Sequence, residues 1–320
     1  MPRTSIKKIL HRYLSARKII ASFALFTSVM AGYLFCARPY QLHWGATADE
    51  VKRPMPGDEL DPNPMFLATR AITVDARPED IWPWLLQMGY GRAGFYGYDI
   101  LENLGSPRGI RSAESILPEF QHFAVGDNVP ISAVARMVFY AIEPDRYLTW
   151  TGTTGSGAFI WALYPIDENH TRLVSRIRWT HHWSQPDLLA LDLFTEFTDH
   201  LAVRKILQGI TDRVEGRSEP MMQQNIEFAI YVAAFLVFLV AVVLILLRPL
   251  TSSRWLAGFA AGIVWLIIWY APVPVRVGVL LELLVLWGLY GAFHQPHVRE
   301  NRMTWSKPAR LGITKAKGTK

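Results

Sequence analysis

The chain has 320 residues, 51% of them hydrophobic and 12% aromatic, with a formal charge of +6 and one cysteine. An apolar share of that size exceeds what a soluble core of this length needs and puts part of the chain in lipid, while the basic residues crowd into the two ends rather than one folded face, which argues against nucleic acid as the partner. Cys36 alone excludes an intramolecular disulfide and any cysteine-rich metal site.

Residues 1–18 form a basic N-terminus, and from Ile19 to Ala37 no charged residue appears. That run suits one crossing of a hydrocarbon layer about 30 Å thick and is read as an uncleaved membrane anchor. A cleaved signal peptide is the rival, because Val29 and Ala31 fit a small-residue cleavage pattern. A lipoprotein is disfavoured by the bulk of Phe35 before Cys36. Residues 38–65 contain "VKRPMPGDELDPNPM", and its prolines give an extended spacer between membrane and domain.

A folded domain follows over 66–216. "ATRAITV" alternates as a strand, and "ARPEDIWPWLLQM" places Pro78 in the first turn of a helix whose positive end is favoured by Glu79 and Asp80. Trp82 and Trp84 would pack that helix on a sheet. In "GYGRAGFYG", Gly91, Gly94 and Gly97 permit tight turns that set Phe95, Tyr96 and Tyr98 either at a cavity rim or in the core. Arg92 among these aromatics would pair with an acidic headgroup or with Asp99 or Glu102. The stretch lacks the endings of a P-loop and the spacing of a dinucleotide site. "FAVGDNVPIS", "ARMVFYAIEP", "RYLTWTG" and "GAFIWALYPIDENHTRLVSRIRW" read as strands. Phe159, Trp161 and Leu163 share one parity and Arg172, Arg176 and Arg178 the other, giving an apolar and a wet face. From about Pro186 to Glu215 a long helix repeats Phe194, Phe197, Leu201, Leu207, Ile210 and Val214 at three- and four-residue steps.

Three more apolar segments, 228–247, 255–275 and 277–293, precede a basic tail over 294–320, and Glu282 is the charged residue inside them. Glu282 is either a proton or ion site or a residue that snorkels or packs against a neighbouring helix. Gly258 and Gly262 form a small-xxx-small pair that would let another helix approach. Lys and Arg in the flanks put both termini in the cytoplasm and the 66–216 domain outside it, in a multi-pass protein of the cell membrane.

The order of one strand, short helices, antiparallel strands and a long helix is α+β. Together with "TRAITVDARPEDIWPWLLQMGYGRAGFYGYD", "LPEF", "VGDNVP", "EPDR" and "LYPIDENHTRLVSRIR", it resembles the SRPBCC superfamily, also called START-like or polyketide cyclase/dehydrase-like. The resemblance implies a helix-grip fold, an antiparallel sheet wrapped around the C-terminal helix with an elongated hydrophobic cavity between them. Members bind lipids, sterols, quinones or polyketides, and some are enzymes. It marks Arg92, Phe95, Tyr96, Tyr98, Phe159, Trp161, Phe194, Phe197 and Leu201 as candidate ligand contacts, with Phe197 and Leu201 facing the sheet beside Trp161.

No nucleophile–base pair, carboxylate pair or metal set stands out, so no metal and no cofactor is expected. His181 and His182 read as surface histidines. Glu196, His200 and Arg204 share one helix face, where Glu196 would orient His200 as a base or, more simply, the three form a solvated ladder. The reading favoured is a membrane-tethered domain that binds or transfers a lipid or other hydrophobic small molecule. Its alternatives are an enzyme acting on such a ligand, cyclase/dehydrase-like or a hydrolase, and a structural or interaction protein with a collapsed cavity. Ligand identity and oligomeric state do not follow from the sequence.

Overall fold

The computed structural model describes residues 16–103, 111–217, 221–248, 251–271 and 273–294. Most of the two basic ends, over 1–15 and 295–320, therefore lies outside the described residues. A six-stranded antiparallel sheet, a long helix and four helices apolar enough to cross a membrane make up the α+β fold.

Helix α1 runs Ala16–Leu42. It widens into a π turn over Tyr33–Ala37, which accommodates Pro39, the residue without the N–H that would close an α turn on Phe35. A short helix α2, Ala48–Lys52, starts at a capping box in which Thr47 and Glu50 satisfy each other's backbone donors. The domain then supplies β1 (Phe66–Val74), α3 (Pro78–Leu86), α4 (Asp99–Glu102), β2 (Asn128–Pro130), β3 (Arg136–Glu143), β4 (Tyr147–Gly152), β5 (Ala158–Pro165), β6 (Thr171–Trp179) and α5 (Pro186–Val214). Three helices end the described chain: α6 (Met221–Leu247), α7 (Ser252–Tyr270) and α8 (Val275–His294).

The strand order is β1-β6-β5-β4-β3-β2, so the first strand closes one edge beside the last, pairing Phe66 with Trp179 through Val74 with Thr171. Even-numbered residues of β1 and odd-numbered residues of β5 and β6 point toward α5, following the two-residue period of the strand. That inner face buries Phe66, Phe139, Leu148, Trp150, Trp161, Leu173 and Ile177 with Trp84 of α3 and with Leu207 and Ile210 of α5.

The outer face is not wet. Residues 47–62, expected as an extended spacer, fold across it and bury Met55 against Ala71, Ile160 and Val174. The three arginines assigned to solvent hold this strap down. Arg172 binds Glu50 with two bonds (2.7 and 2.9 Å), Arg178 reaches Asp58 and the Asp61 carbonyl, and Arg176 donates to Thr69, Asp58 and the carbonyls of Glu50, Val51 and Arg53. A guanidinium presents five donors in a fixed fork, and the strap satisfies them where a bare sheet face would leave them to water.

Among the apolar helices, α7 is central, packing on α1, α6 and α8. Gly258 and Gly262 make this possible: a Cβ at 262 would come within 2.5 Å of Val29 and 3.0 Å of Phe238, and one at 258 within 2.7 Å of Ile245. Glu282 lies on the face of α8 that carries Gly278, Val285 and Leu289 and is buried there rather than turned to lipid.

Candidate functional site

Helix α5 is buried on two sides, which its sequence pattern does not announce. One face closes the sheet through Val203, Ile206, Leu207 and Ile210. The other lies across the ends of the apolar helices. Phe197 packs 4.7 Å from Tyr33 of α1 and stacks 5.6 Å from Trp265 of α7, and Leu201 belongs to the same cluster. This corrects the expectation that Phe197 and Leu201 face the sheet beside Trp161. The reason is geometric: 29 residues of helix outrun the sheet, and the apolar stripe at their exposed end meets a second apolar body.

Polar residues tie the same surfaces together. Arg70 carries the one charge on the inward parity of β1 and meets Asp199 of α5 at 2.5 Å while donating to the Gln41 carbonyl at the end of α1. Arg38 donates to Glu196 at 2.7 Å, and His181 approaches the other oxygen of Glu196 at 3.2 Å. Further along α5, Arg204 donates to the Tyr231 hydroxyl, which donates to Glu227, whose second oxygen accepts from Lys205 at 2.9 Å. Burial raises the Asp199 carboxyl above its ordinary range, against the pull of Arg70.

The expected solvated ladder of Glu196, His200 and Arg204 is thus corrected too, since all three are buried. His181, expected at the surface, is buried beside them. His200 is fully enclosed between Tyr40 and Tyr270, and burial, then Arg70 and Arg204, holds its pKa well below the ordinary histidine value. Glu196 spends its carboxylate on Arg38 and His181 rather than on orienting His200 as a base. Among the described residues no group of three His, Cys, Asp or Glu side chains is placed to hold a metal.

Beside Lys205 the junction opens into a cavity of about 1160 Å³. Its walls come from Ile72 of β1, Lys205, Gln208 and Asp212 of α5, Met222, Ile226 and Glu227 of α6, and Val273 to Arg276 at the start of α8. Ile72, Met222, Ile226 and Val273 to Val275 give it an apolar side, and Lys205, Asp212, Arg217, Glu227 and Arg276 set charged groups around it, a mixed lining that suits an amphipathic molecule. Smaller clefts lie at the open end of the sheet (about 480 Å³, around Trp82, His122 and Phe123) and between α1 and α7 (about 400 Å³, around Cys36 and Leu266).

No protein-family profile and no curated sequence matches the chain. Solved structures do. A polyketide-cyclase-like protein of Corynebacterium glutamicum is 15% identical over 47% of this chain and 91% of its own, with a TM-score of 0.31. A protein of Mesorhizobium loti is 15% identical over 48% and 100% with a TM-score of 0.29, and one of Thermobifida fusca 13% over 48% and 97%, also at 0.29. Likeness at these levels assigns no activity.

The remaining candidate residues divide between the two sides of α5. Phe95, Tyr96, Phe159 and Trp161 fill the space between sheet and helix, with Phe159 and Trp161 stacked 5.2 Å apart. Tyr96 donates to the Trp84 carbonyl and accepts from Gln87, and burial raises its hydroxyl pKa. Tyr98 turns the other way, into the junction against Phe228 and Tyr231. Phe194 is exposed. Arg92 pairs with neither Asp99, which binds Ser112, nor Glu102, which accepts from the backbone N–H groups of Phe95 and Gly97. Its guanidinium lies 3.7 Å over Phe123 and donates to the Leu86 carbonyl, and burial lowers its pKa to about 10.

Sequence reasoning missed Arg70, Asp199, Lys205, Gln208 and Glu227. A signal existed for the first: an arginine among Phe66, Ala68, Ile72 and Val74 on one strand parity is a buried charge that demands a partner. The others depend on how distant helices meet and carry no local mark.

Proposed function

We propose that this protein is a membrane-tethered START-like binding module that holds an amphipathic lipid or similar hydrophobic small molecule. Its four apolar helices span the bilayer, with the termini on the cytoplasmic side and the domain on the other. The ligand site is the junctional cavity rather than the interior of the helix-grip. The observation that carries this reading is the cavity itself, about 1160 Å³ at the ends of the apolar helices, where a lipid can enter without crossing water. Ile72, Met222, Ile226 and Val275 offer an apolar wall, while Gln208, Gln223 and Arg276 offer polar groups to a headgroup. Lys205 and Arg217 are already engaged by Glu227 and Asp212, so the site favours a weakly charged headgroup over a strongly anionic one.

A second reading, a structural or interaction protein, draws on the filled interior, where Trp84, Phe95, Tyr96, Trp150 and Trp161 occupy the space between sheet and α5. Native mass spectrometry of the full-length protein separates the two. The binding reading predicts a retained lipid in the wild type and at least fivefold less in Gln208→Trp and Ile226→Trp, with unchanged melting temperature. A wild type free of lipid, or variants that retain it equally, would reject the cavity as a binding site and favour the interaction role.

A further inference from the structure

The apolar stripe that docks α5 on the membrane helices does not stop where the docking stops. Steps of four, three and four residues connect Ala190, Phe194, Phe197 and Leu201 along one side of the helix. Phe197 and Leu201 are covered by α1 and α7. Phe194 is 53% exposed, and its neighbours Leu191 and Leu193 are 58% and 47% exposed. The helix therefore continues past the edge of the bundle with its apolar side still turned the way the bundle lies. Asp192, off this stripe, is engaged by the backbone N–H and ring of His182.

The depth of this segment can be placed. Arg38 ends the uncharged run that begins at Ile19, so it marks one boundary of the hydrocarbon layer, and it is bound to Glu196. On α7, Tyr270 is the last helical residue, and its hydroxyl lies 3.5 Å from the Phe197 carbonyl. Both markers set the helix axis near positions 196 and 197 at the level where membrane meets water. A helix lying across the bundle ends at that level and extending sideways meets the headgroup and upper acyl region of the surrounding leaflet.

We infer that the first third of α5, over 186–194, is an interfacial membrane helix whose Phe194 inserts into the lipid leaflet beside α1, with Leu191 and Leu193 flanking it at the two sides of the inserted face. An exposed apolar face of this kind in water would be an aggregation liability, whereas in the interface its burial is favourable and needs no second protein. Asp187, in the first turn, keeps that end of the helix shallow. The leaflet contact makes the START-like domain a peripheral as well as a tethered membrane domain, and it fixes α5, the wall of the junctional cavity, parallel to the membrane plane.

The test uses the full-length protein in vesicles of phosphatidylcholine with a minor fraction of phosphatidylglycerol. With Cys36→Ser as background, spin labels are placed at Leu191→Cys, Phe194→Cys and, as an aqueous reference, Asn169→Cys in the exposed turn between β5 and β6. Insertion predicts that the ratio of oxygen to nickel-chelate collision rates at 191 and 194 exceeds that at 169 several-fold. Ratios equal to that at 169 would show the face in water. An immobilised label inaccessible to both reagents would show a protein partner there. Either result overturns the inference.

Discussion

Arg70 and Asp199 form the most deeply buried ion pair that joins the sheet to α5, with side chains 1% and 4% exposed. Removing one charge leaves the other without its partner in a low-dielectric site, which costs about 3–5 kcal/mol, whereas replacing both by apolar residues of similar size is far cheaper. Arg70→Met should therefore lower the unfolding midpoint strongly in detergent, and Arg70→Met with Asp199→Leu should recover more than half of the loss. Equal and additive losses in a double-mutant cycle would show that the pair is not coupled.

Glu102 offers a pH test at the same scale. Burial, then the nearby Asp99 carboxylate, pushes its pKa from 4.5 up to about 8, against the two backbone donors that favour its ionised form. The native state then binds the proton more tightly than the unfolded chain, so Glu102 makes stability fall as pH rises between these values. Glu102→Gln should flatten the decline of unfolding midpoint over that interval and cost about 1 kcal/mol at its acid end, because the amide oxygen replaces only one of the two carboxyl oxygens that accept from the backbone there. An unchanged slope would remove Glu102 from the pH response.

Among the elements, α5 organises the molecule by being buried twice. Its contact with the aromatic loop depends on Gly209, where an added Cβ would lie 2.0 Å from the Tyr96 carbonyl oxygen, and Tyr96 itself holds a φ of 63°. Gly209→Ala should push helix and loop apart and cost at least about 1–3 kcal/mol. Gly291→Ala, on an open face of α8, should be neutral or stabilising from helix propensity alone. Similar effects at both positions, read as shifts in melting temperature, would contradict the close approach.

Much at this scale was legible. The strand parities of β5 and β6, the helix from Pro186 and the four apolar runs all follow local periodicity, and the structure reproduces them within a few residues. What periodicity cannot carry is which face finds a partner. Arg172, Arg176 and Arg178 read as a wet face because parity places them together but says nothing of the strap that covers them. Phe197 and Leu201 read as facing the sheet because local periodicity does not distinguish one apolar stripe from the two that this helix carries. The cavity was invisible because its walls come from β1, α5, α6 and the start of α8.

At the scale of the whole molecule, the α+β domain meets the four apolar helices through one continuous junction of aromatic and ionic contacts. Topology is open to direct labelling. In a Cys36→Ser background, a membrane-impermeant thiol reagent on intact cells should modify Asn169→Cys and spare Lys317→Cys, and the reverse pattern would invert the orientation. The central claim, that a lipid is held between α5 and the ends of α6 and α8, is tested most directly by photo-crosslinking. Full-length protein in native-lipid nanodiscs would be irradiated with a phospholipid carrying a diazirine near its headgroup, and the labelled peptides mapped by mass spectrometry. The account predicts adducts concentrated at Gln208, Met222, Ile226 and Val275, competed away by unlabelled lipid extract. Adducts confined to the outward faces of the apolar helices, unaffected by competitor, would contradict it.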